Sequence, residues 1–219
     1  MIPLSLRIKR IAHRRIALAQ DIIVDEVYKE FGRAVLHGGT AIWRCYAGRR
    51  FSEDLDFYLP HEEHKLRQLF ENIEKKGFAP IKKRISDKSV YSEFEIERGR
   101  VRLEAIYKKV DGTIADYETA DGNVISVYSL TPEDLIKEKV EAYLRRYKIR
   151  DLYDIFFLIR LVKNLDTIKT ALQRLVKAYR PPPDETNLKA IILEGIIPTS
   201  KEMIQYVKGK WENANTSMQ

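Results

Sequence analysis

Residues 33–59 read RAVLHGGTAIWRCYAGRRFSEDLDFYL. The apolar run over 33–37 stops at Gly38 and Gly39, which predicts a short buried strand that breaks into a turn. A helix is expected to open directly after the turn, over 40–46. Along 51–59 the apolar and polar residues alternate with the period of a strand, so Asp54 and Asp56 point to the same face. A strand, a glycine turn, a helix and an acidic strand in this order indicate an α/β core.

The glycine pair and the aspartate pair each have a chemical interpretation and an ordinary structural one. Glycines let backbone amides approach phosphate oxygens, and the helix that opens at Thr40 presents its N-terminal amides to an anion. Two carboxylates on one strand face suit divalent cations such as Mg²⁺ or Mn²⁺, and Ser52 on that face is a further candidate for contact with a cofactor. Taken singly, a glycine pair is usually a turn and such aspartates are usually solvated. Together they favour a metal site, because clustered carboxylates repel unless cations or water relieve them.

The rest of the chain shows further helical and strand patterns. The apolar spacing predicts helices over 6–31, 64–76, 131–146, 150–163 and 167–179, and strands over 90–97, 100–107 and 124–128. Arg98-Gly99 is expected to turn a hairpin, and Thr131 is a candidate N-cap with proline at the first helical position. A last helical stretch should reach Trp211. We therefore predict a core over 1–128, a helical region over 129–211 and a disordered tail over 212–219.

Composition limits the class of protein. The 39 basic and 32 acidic residues give a net charge of +7 and a pI near 9.3, which favours a polyanionic partner but is also common in basic proteomes. A single cysteine, Cys45, excludes an internal disulfide framework, and the four histidines form no zinc pattern. Neither a signal peptide nor a membrane span is visible, so we expect a soluble, cytoplasmic protein without membrane contact.

Two helical positions are candidates for a charged site. Lys139 lies on the apolar side of its helix, where a lysine either extends outward to solvent or meets a buried anion. Asp154 lies in a helix with apolar residues all round, and a buried carboxylate needs a partner. That partner is either Lys139 or one of the nearby arginines Arg146 and Arg150. Asp151 is an alternative functional carboxylate, or it stabilises the N-terminus of its helix.

At this point the chain resembles a known family, the AbiEii/AbiGii toxin nucleotidyltransferases of the DNA polymerase β-like superfamily. The runs from His37 to Trp43 and from Arg50 to Phe57 are similar to its first two motifs. The runs 130–139 (LTPEDLIKEK) and 150–154 (RDLYD) are similar to the third and fourth. The resemblance covers about residues 6–163. It implies a polymerase β-like core with a small mixed sheet backed by helices, followed by a helical C-terminal region.

The resemblance also implies an activity, namely transfer of a nucleotide from a nucleoside triphosphate to an acceptor with Mg²⁺. In related toxins the acceptor is the 3′ end of transfer RNA, and a separate antitoxin restrains the enzyme. The resemblance implies that Gly38, Gly39 and Thr40 bind phosphate and that Asp54 and Asp56 bind the metal. It implies that Lys139 contacts the triphosphate. Asp154 or Asp151 would either contact the acceptor or orient this lysine.

Three further residues have open assignments. Such enzymes often carry a third carboxylate on a neighbouring strand, and Glu104 lies on a suitable one, although alternation does not fix its direction. Arg50 either steadies phosphates or is a solvated loop residue. His37, at a strand end, is interpreted as a structural hydrogen-bonding residue rather than an acid-base catalyst.

The acceptor itself is a separate question. The basic stretches 82–84, 108–109 and 145–148 are candidates for contact with an RNA backbone, although runs of charge are usually solvated surface. Transfer of AMP to a protein side chain would need the same donor site. A catalytically silent RNA-binding module is the other alternative, although binding alone does not need clustered carboxylates that repel phosphate.

Overall fold

The computed structural model describes residues 3–96 and 99–216. The chain divides into two compact units. The first contains the described residues up to Ala47 together with Phe51–Leu130, and the second contains Gly48–Arg50 together with the described chain from Thr131 onward. The short segment Gly48–Arg50 thus belongs to a different unit from the residues on either side of it, which the sequence analysis did not anticipate.

Among the described residues of the first unit, seven strands form one mixed sheet. They are β1 (Val35–His37), β2 (Asp54–Leu59), β3 (Ala79–Ile85), β4 (Ser89–Ile96), β5 (Gly99–Tyr107), β6 (Thr113–Glu118) and β7 (Val124–Ser129). Their order in the sheet is β3-β4-β5-β2-β1-β7-β6. β2 is parallel to β5 and β1 is parallel to β7, whereas the other neighbours are antiparallel. The mixed sheet expected from the sequence is confirmed.

The helices of the first unit are α1 (Leu4–Arg7), α2 (Ile11–Glu30), α3 (Gly38–Cys45) and α4 (Glu63–Lys75). The single helix expected over 6–31 is therefore interrupted between α1 and α2. α3 begins two residues earlier than expected, so both glycines of the turn belong to its first turn. α2 packs against α4 and β5, and α3 packs against β2 and β6.

Alternating burial along β2 matches the pattern in the sequence. Leu55, Phe57 and Leu59 are completely buried, whereas Asp54 and the other polar residues between them are half-buried. The burial of the apolar residues fixes the orientation of the strand, because a shift by one residue would exchange the two faces. The aspartates therefore share the other face of β2.

Two strands were not predicted from the sequence. Every residue of β3 is exposed, so its sequence lacks the alternation that marks a half-buried strand. In β6 only Tyr117 is buried. β4 and β5 pair antiparallel as expected for a hairpin. Of its predicted turn Arg98-Gly99, Arg98 lies outside the described residues and Gly99 belongs to β5.

The described residues of the second unit are mainly helical. They form α5 (Pro132–Arg146), α6 (Ile149–Leu158), α7 (Lys169–Ala178), α8 (Leu188–Ile191) and α9 (Ser200–Thr216), with short 3-10 helices at Leu165–Ile168 and Glu185–Asn187. α5 packs against α6 and α7, and α9 packs against the same two helices. α6 ends five residues before the predicted end at residue 163, where the amide of Leu161 bonds to the carbonyl of Leu158 in a tight turn.

The last helix also differs from the expected boundary. α9 continues to Thr216, past Glu212, where the predicted disordered tail begins. Once a helix has formed, each added residue gains a backbone hydrogen bond, so a helix can continue through a polar sequence. Residues 217–219 lie outside the described residues. Within the described part of the chain, no helix is long and apolar enough to cross a membrane.

The start of α5 provides a test of the local sequence signal. The Thr131 hydroxyl accepts a hydrogen bond from the backbone amide of Asp134, as predicted for an N-cap. Thr131→Ala should therefore lower the free energy of unfolding by about 1 kcal/mol, measured by urea denaturation. Thr131→Ser keeps the hydroxyl and should retain most of the stability. Equal stability of the alanine variant and the wild type would contradict the capping role.

Candidate active site

The glycine turn lies directly against one carboxylate of the acidic strand. In the antiparallel pair of β1 and β2, His37 is the partner of Asp56, so Gly38 follows immediately beside this aspartate. Gly38 has a φ of 71°, a conformation that favours glycine. A Cβ atom at this position would lie 2.1 Å from Oδ2 of Asp56. The absence of a side chain at residue 38 is thus required both by the backbone and by the carboxylate.

The direction of Glu104, which the sequence left open, follows from the register of β2 and β5. In this parallel pair Asp54 is the partner of Arg102, and Asp56 is the partner of Glu104. Partners in neighbouring strands extend to the same face of a sheet. Asp54, Asp56 and Glu104 consequently share one face, together with Arg102. We call this surface of the sheet the acidic face.

Arg102 is a site residue that the sequence analysis did not identify. Its Nη1 lies 3.0 Å from Oδ1 of Asp54 and 3.8 Å from Oε1 of Glu104. A positive charge between these carboxylates reduces their mutual repulsion even before a cation binds. The alternation of β5 places Arg102 and Glu104 on one side, but only the register with β2 shows that this side is the one with the aspartates.

The donor set of the acidic face fits a divalent cation of the Mg²⁺ type. Carboxylate oxygens are the ligands that Mg²⁺ prefers, and it commonly uses one or two of them and completes its shell with water and phosphate oxygens. Among the described residues, no group of three or more His, Cys, Asp or Glu side chains is close enough to hold a metal by itself. The arrangement therefore suits a cation that Asp54 and Asp56 share with a phosphorylated ligand, rather than an enclosed protein site.

Thr40 and the backbone of Ser52 take part in hydrogen bonds that hold the acidic strand and the residues before it. The hydroxyl of Thr40 is buried and donates to the carbonyl of Asp54 at 2.5 Å. The backbone amides at the start of α3 remain suited to bind phosphate, because the first amides of a helix have no partner within it. The carbonyl of Ser52 accepts a hydrogen bond of 2.9 Å from Nε2 of the buried Gln20, which also donates to the next carbonyl at 3.0 Å.

A buried arginine fixes the helix that carries the glycine turn. Arg44 of α3 is 2% exposed, and its guanidinium lies 3.1 Å from Oδ1 of Asp21. It also donates to the carbonyls of Ala17 and Glu118, at 2.8 and 3.0 Å. This residue was not expected from the sequence, since nothing in its local pattern distinguishes a buried arginine from a solvated one. Its partners lie in α2 and β6, so the network ties α3 to both elements.

His37 has a packing role in this structure. Its ring stacks on the ring of Tyr58, with 4.0 Å between the centroids and 6° between the planes. His37 was interpreted from the sequence as a structural hydrogen-bonding residue, and the stacked ring adds a packing contact to that interpretation. The stacked pair lies on the acidic face beside Asp56, because Val35 and His37 of β1 are partners of Tyr58 and Asp56.

In the second unit the predicted charged residues form one buried ion-pair network. Asp154 accepts two hydrogen bonds from Arg50, at 2.5 and 2.6 Å, and lies 2.8 Å from Nζ of Lys139. Asp151 accepts two from Arg146, at 2.7 and 2.8 Å, and lies 3.7 Å from the same Nζ. Lys139 therefore meets a buried anion, one of its two predicted alternatives. Arg50 is buried and paired with Asp154, so it is not a solvated loop residue.

The charges of this network control the ionisation of Asp154. Burial would raise the pKa of this carboxyl, but the positive charges of Arg50 and Lys139 lower it, and the net pKa lies below the ordinary value. Asp154 is therefore ionised at neutral pH. A group with a lowered pKa contributes stability above its unfolded pKa, and this contribution is lost as the pH falls through the folded pKa.

Comparison with protein families matches residues 22–210 to a family described as the nucleotidyl transferase AbiEii toxin of type IV toxin–antitoxin systems. No curated protein matches the chain.

Several solved structures share the fold at low sequence identity. MenT4, a nucleotidyltransferase toxin from Mycobacterium tuberculosis H37Rv, is 16% identical with a TM-score of 0.68, covering 97% of this chain and 87% of that chain. JHP933 from Helicobacter pylori is 19% identical with a TM-score of 0.68, covering 95% and 96%. A putative nucleotidyltransferase from H. pylori is 21% identical with a TM-score of 0.62, covering 93% and 95%.

The contact between Gly38 and Asp56 yields a direct test. Gly38→Ala should weaken binding of Mn²⁺, followed by electron paramagnetic resonance, because the new methyl group displaces the Asp56 carboxylate. The positive φ should also lower the free energy of unfolding by about 1–2 kcal/mol. Gly209→Ala in α9 is the control, since a Cβ there meets nothing within 4 Å. Unchanged Mn²⁺ binding in the Gly38 variant would show that this contact does not shape a metal site.

The buried network yields a second test. Asp154→Asn leaves Arg50 and Lys139 without their shared anion and should lower the free energy of unfolding by about 3–5 kcal/mol at neutral pH. Lys137→Ala, which removes an exposed ion pair with Asp134 on α5, should lower it by less than about 1 kcal/mol. The difference in free energy of unfolding between wild type and Asp154→Asn should decrease as the pH falls below the ordinary pKa range of aspartate. A difference in free energy of unfolding that stays constant down to strongly acidic pH would contradict the ionisation of Asp154 at neutral pH.

Proposed function

This chain belongs to the family of AbiEii nucleotidyl transferase toxins of type IV toxin–antitoxin systems, and from this premise we propose that it transfers a nucleotide from a nucleoside triphosphate to an RNA acceptor at the acidic face. Within that proposal, Asp54 and Asp56 hold the divalent cation and Glu104 is the third carboxylate beside them. The contact that supports the proposal most directly is that of Gly38 with Asp56, where a Cβ atom would lie 2.1 Å from the carboxylate oxygen.

This contact brings a phosphate-binding element and a cation-binding element together. The turn at Gly38 and Gly39 leads straight into α3, whose first amides and positive end favour an anion. Asp56 lies against that turn and faces the same side of the sheet as Asp54. A triphosphate with its cation carries negative charge, which suits the turn, and positive charge, which suits the aspartates. A simple turn or a solvated acidic strand would not require the two elements to lie in contact.

The residues of the acidic face have distinct proposed tasks. The amides of Gly38, Gly39 and Thr40 bind phosphate oxygens of the donor and hold the leaving pyrophosphate. The bound cation supplies neutralisation of phosphate charge and activation of the attacking hydroxyl. Thr40 and Gln20 hold the backbone of the acidic segment through its carbonyls, so the two aspartates keep their positions.

The residues of the second unit remain proposed site residues on the family resemblance. Lys139 is the proposed triphosphate ligand, and Asp154, which pairs with it at 2.8 Å, is its proposed positioning residue. Asp151 holds Arg146 by two hydrogen bonds and is more distant from Lys139, at 3.7 Å. The geometry therefore favours Asp154 over Asp151 as the carboxylate that orients the lysine. Arg50 shares Asp154 with this lysine and acts on it indirectly.

RNA is the acceptor class that the charge of the chain favours. The net charge of +7 suits a polyanion, and the 3′ end of transfer RNA is the specific acceptor proposed from the resemblance. We place the reaction in the cytoplasm and propose a cognate antitoxin as the partner, because the family is one of toxin–antitoxin systems.

The test is transfer of label from each radiolabelled nucleoside triphosphate in the presence of Mg²⁺ and cellular RNA or protein. Asp56→Asn should reduce transfer by about a hundredfold or more, because loss of a metal ligand removes several kcal/mol of transition-state stabilisation. Asp87→Asn, which removes one exposed negative charge between β3 and β4, should transfer at the wild-type rate.

The three outcomes separate the candidate functions. Label on small RNA that is lost in Asp56→Asn supports the proposal. Label on protein would instead identify an enzyme that modifies protein side chains with AMP. Absence of label from both, together with retained RNA binding, would identify a silent RNA-binding module.

A further inference from the structure

The first unit contains a cavity of about 470 Å³ on the acidic face that the proposed donor chemistry does not use. Val35, Tyr58 and Tyr128 are among the residues that line it. Val35 and Tyr58 are partners in β1 and β2, and Leu36 is the partner of Ser129, so Tyr128 extends to the same face as Val35. The volume lies within the range of about 300–1,000 Å³ that is typical of small organic ligands.

The cavity begins next to the proposed cation site. Tyr58 follows Asp56 by two residues on the same face of β2, a rise of about 7 Å along a strand. His37, the partner of Asp56, stacks on the ring of Tyr58. A ligand that packs on Tyr58 therefore lies one strand repeat away from a proposed metal ligand.

The backbone that surrounds the cavity is fixed by specific contacts. The amide of Lys108 donates to the carbonyl of Leu59 at 3.0 Å, and the hydroxyl of Tyr28 donates to the carbonyl of Tyr128 at 2.7 Å. Gly112 approaches so closely that a Cβ atom would lie 2.9 Å from Cγ2 of Val35 and 3.0 Å from Cβ of Tyr128. The loop between β5 and β6 thus closes one side of a defined pocket.

The lining combines aromatic rings with exposed cations. Nζ of Lys108 lies 5.3 Å from the ring centroid of Tyr58, and the guanidinium carbon of Arg33 lies 6.0 Å from that of Tyr128. Lys108 and Arg33 are both exposed. Stacking of a nucleobase on an aromatic ring is stronger than an exposed cation–π contact. A base can therefore displace these cations, which then remain within reach of its phosphates.

The charge of the lining also suits a phosphorylated ligand. The four basic side chains outnumber the two acidic ones; they are Arg33, Lys65, Lys108 and Lys109 against Glu62 and Asp111. A basic rim around aromatic stacking surfaces is the arrangement by which proteins bind single-stranded nucleic acid.

We propose that this cavity binds the terminal nucleotide of a single-stranded RNA acceptor, with its base against Tyr58 and its phosphates near Lys108 and Lys109. The inference rests on the proposed function, since it names the place of the acceptor beside the carboxylates. The donor triphosphate has its own anion site at the glycine turn, whereas the attacking hydroxyl must enter from a neighbouring position on the same face. The cavity is such a position.

The experiment measures binding without catalysis. A fluorescently labelled short single-stranded RNA is titrated with the full chain in the absence of metal, and a fluorescent ATP analogue is titrated separately with Mg²⁺. Tyr58→Ala should weaken RNA binding about tenfold or more, while Tyr58→Phe should stay within about twofold of the wild type. Lys108→Ala with Lys109→Ala, both at exposed positions, should also weaken RNA binding and reduce its salt dependence. Lys169→Ala with Lys177→Ala, exposed on α7, is the control of equal charge.

Each outcome bears on one of the two proposals. Weaker RNA binding with unchanged binding of the ATP analogue supports the acceptor pocket. An equal loss of both ligands would assign the cavity to the base of the donor and overturn the inference. An equal loss in the control pair would show that the binding is unspecific and would also overturn it. If the wild type transfers label to RNA and Tyr58→Ala binds that RNA normally, the inference fails while the proposed function stands. A wild type that binds no RNA would refute the acceptor class itself.

Discussion

The antiparallel pairing of β1 with β2 is the constraint on which the acidic face depends. β1 has only three residues, yet its register places His37 opposite Asp56 and thereby sets the glycine turn against that carboxylate. The register is held from the other side of the sheet by Leu36, Leu55 and Phe57, all completely buried. A slip of one residue would expose these apolar side chains, so the hydrophobic core fixes the position of the polar site.

The charges on the acidic face are balanced within the protein. Arg102 lies beside Asp54 and within 3.8 Å of Glu104, so the carboxylates are not left as an uncompensated cluster. Behind the face, Arg44 and Gln20 donate hydrogen bonds to backbone carbonyls of α2, of β6 and of the residues just before β2. Both kinds of support depend on side chains distant in sequence, which explains why a short motif alone does not build the face.

The sequence predicted the features that depend on local pattern. The alternation of β2, the glycine turn and the N-cap at Thr131 each arise from neighbouring residues and were correctly expected. Features set by long-range pairing were not accessible in this way. The direction of Glu104 required the register with β5, and the pairing of Arg50 with Asp154 joins residues 104 positions apart. From the sequence, Arg50 was therefore interpreted as a phosphate-binding or solvated loop residue without knowledge of Asp154, the partner with which it is buried.

The strand β3 has a consequence for how the chain behaves among its own copies. It lies at one edge of the sheet, and all seven of its residues are exposed. An edge strand offers unpaired backbone groups to any other extended chain, and exposed Ile81 and Ile85 would strengthen such an association. Lys82, Lys83 and Arg84 lie between these two isoleucines. Two such edges brought together would oppose six positive charges, which is a natural protection against edge-to-edge aggregation.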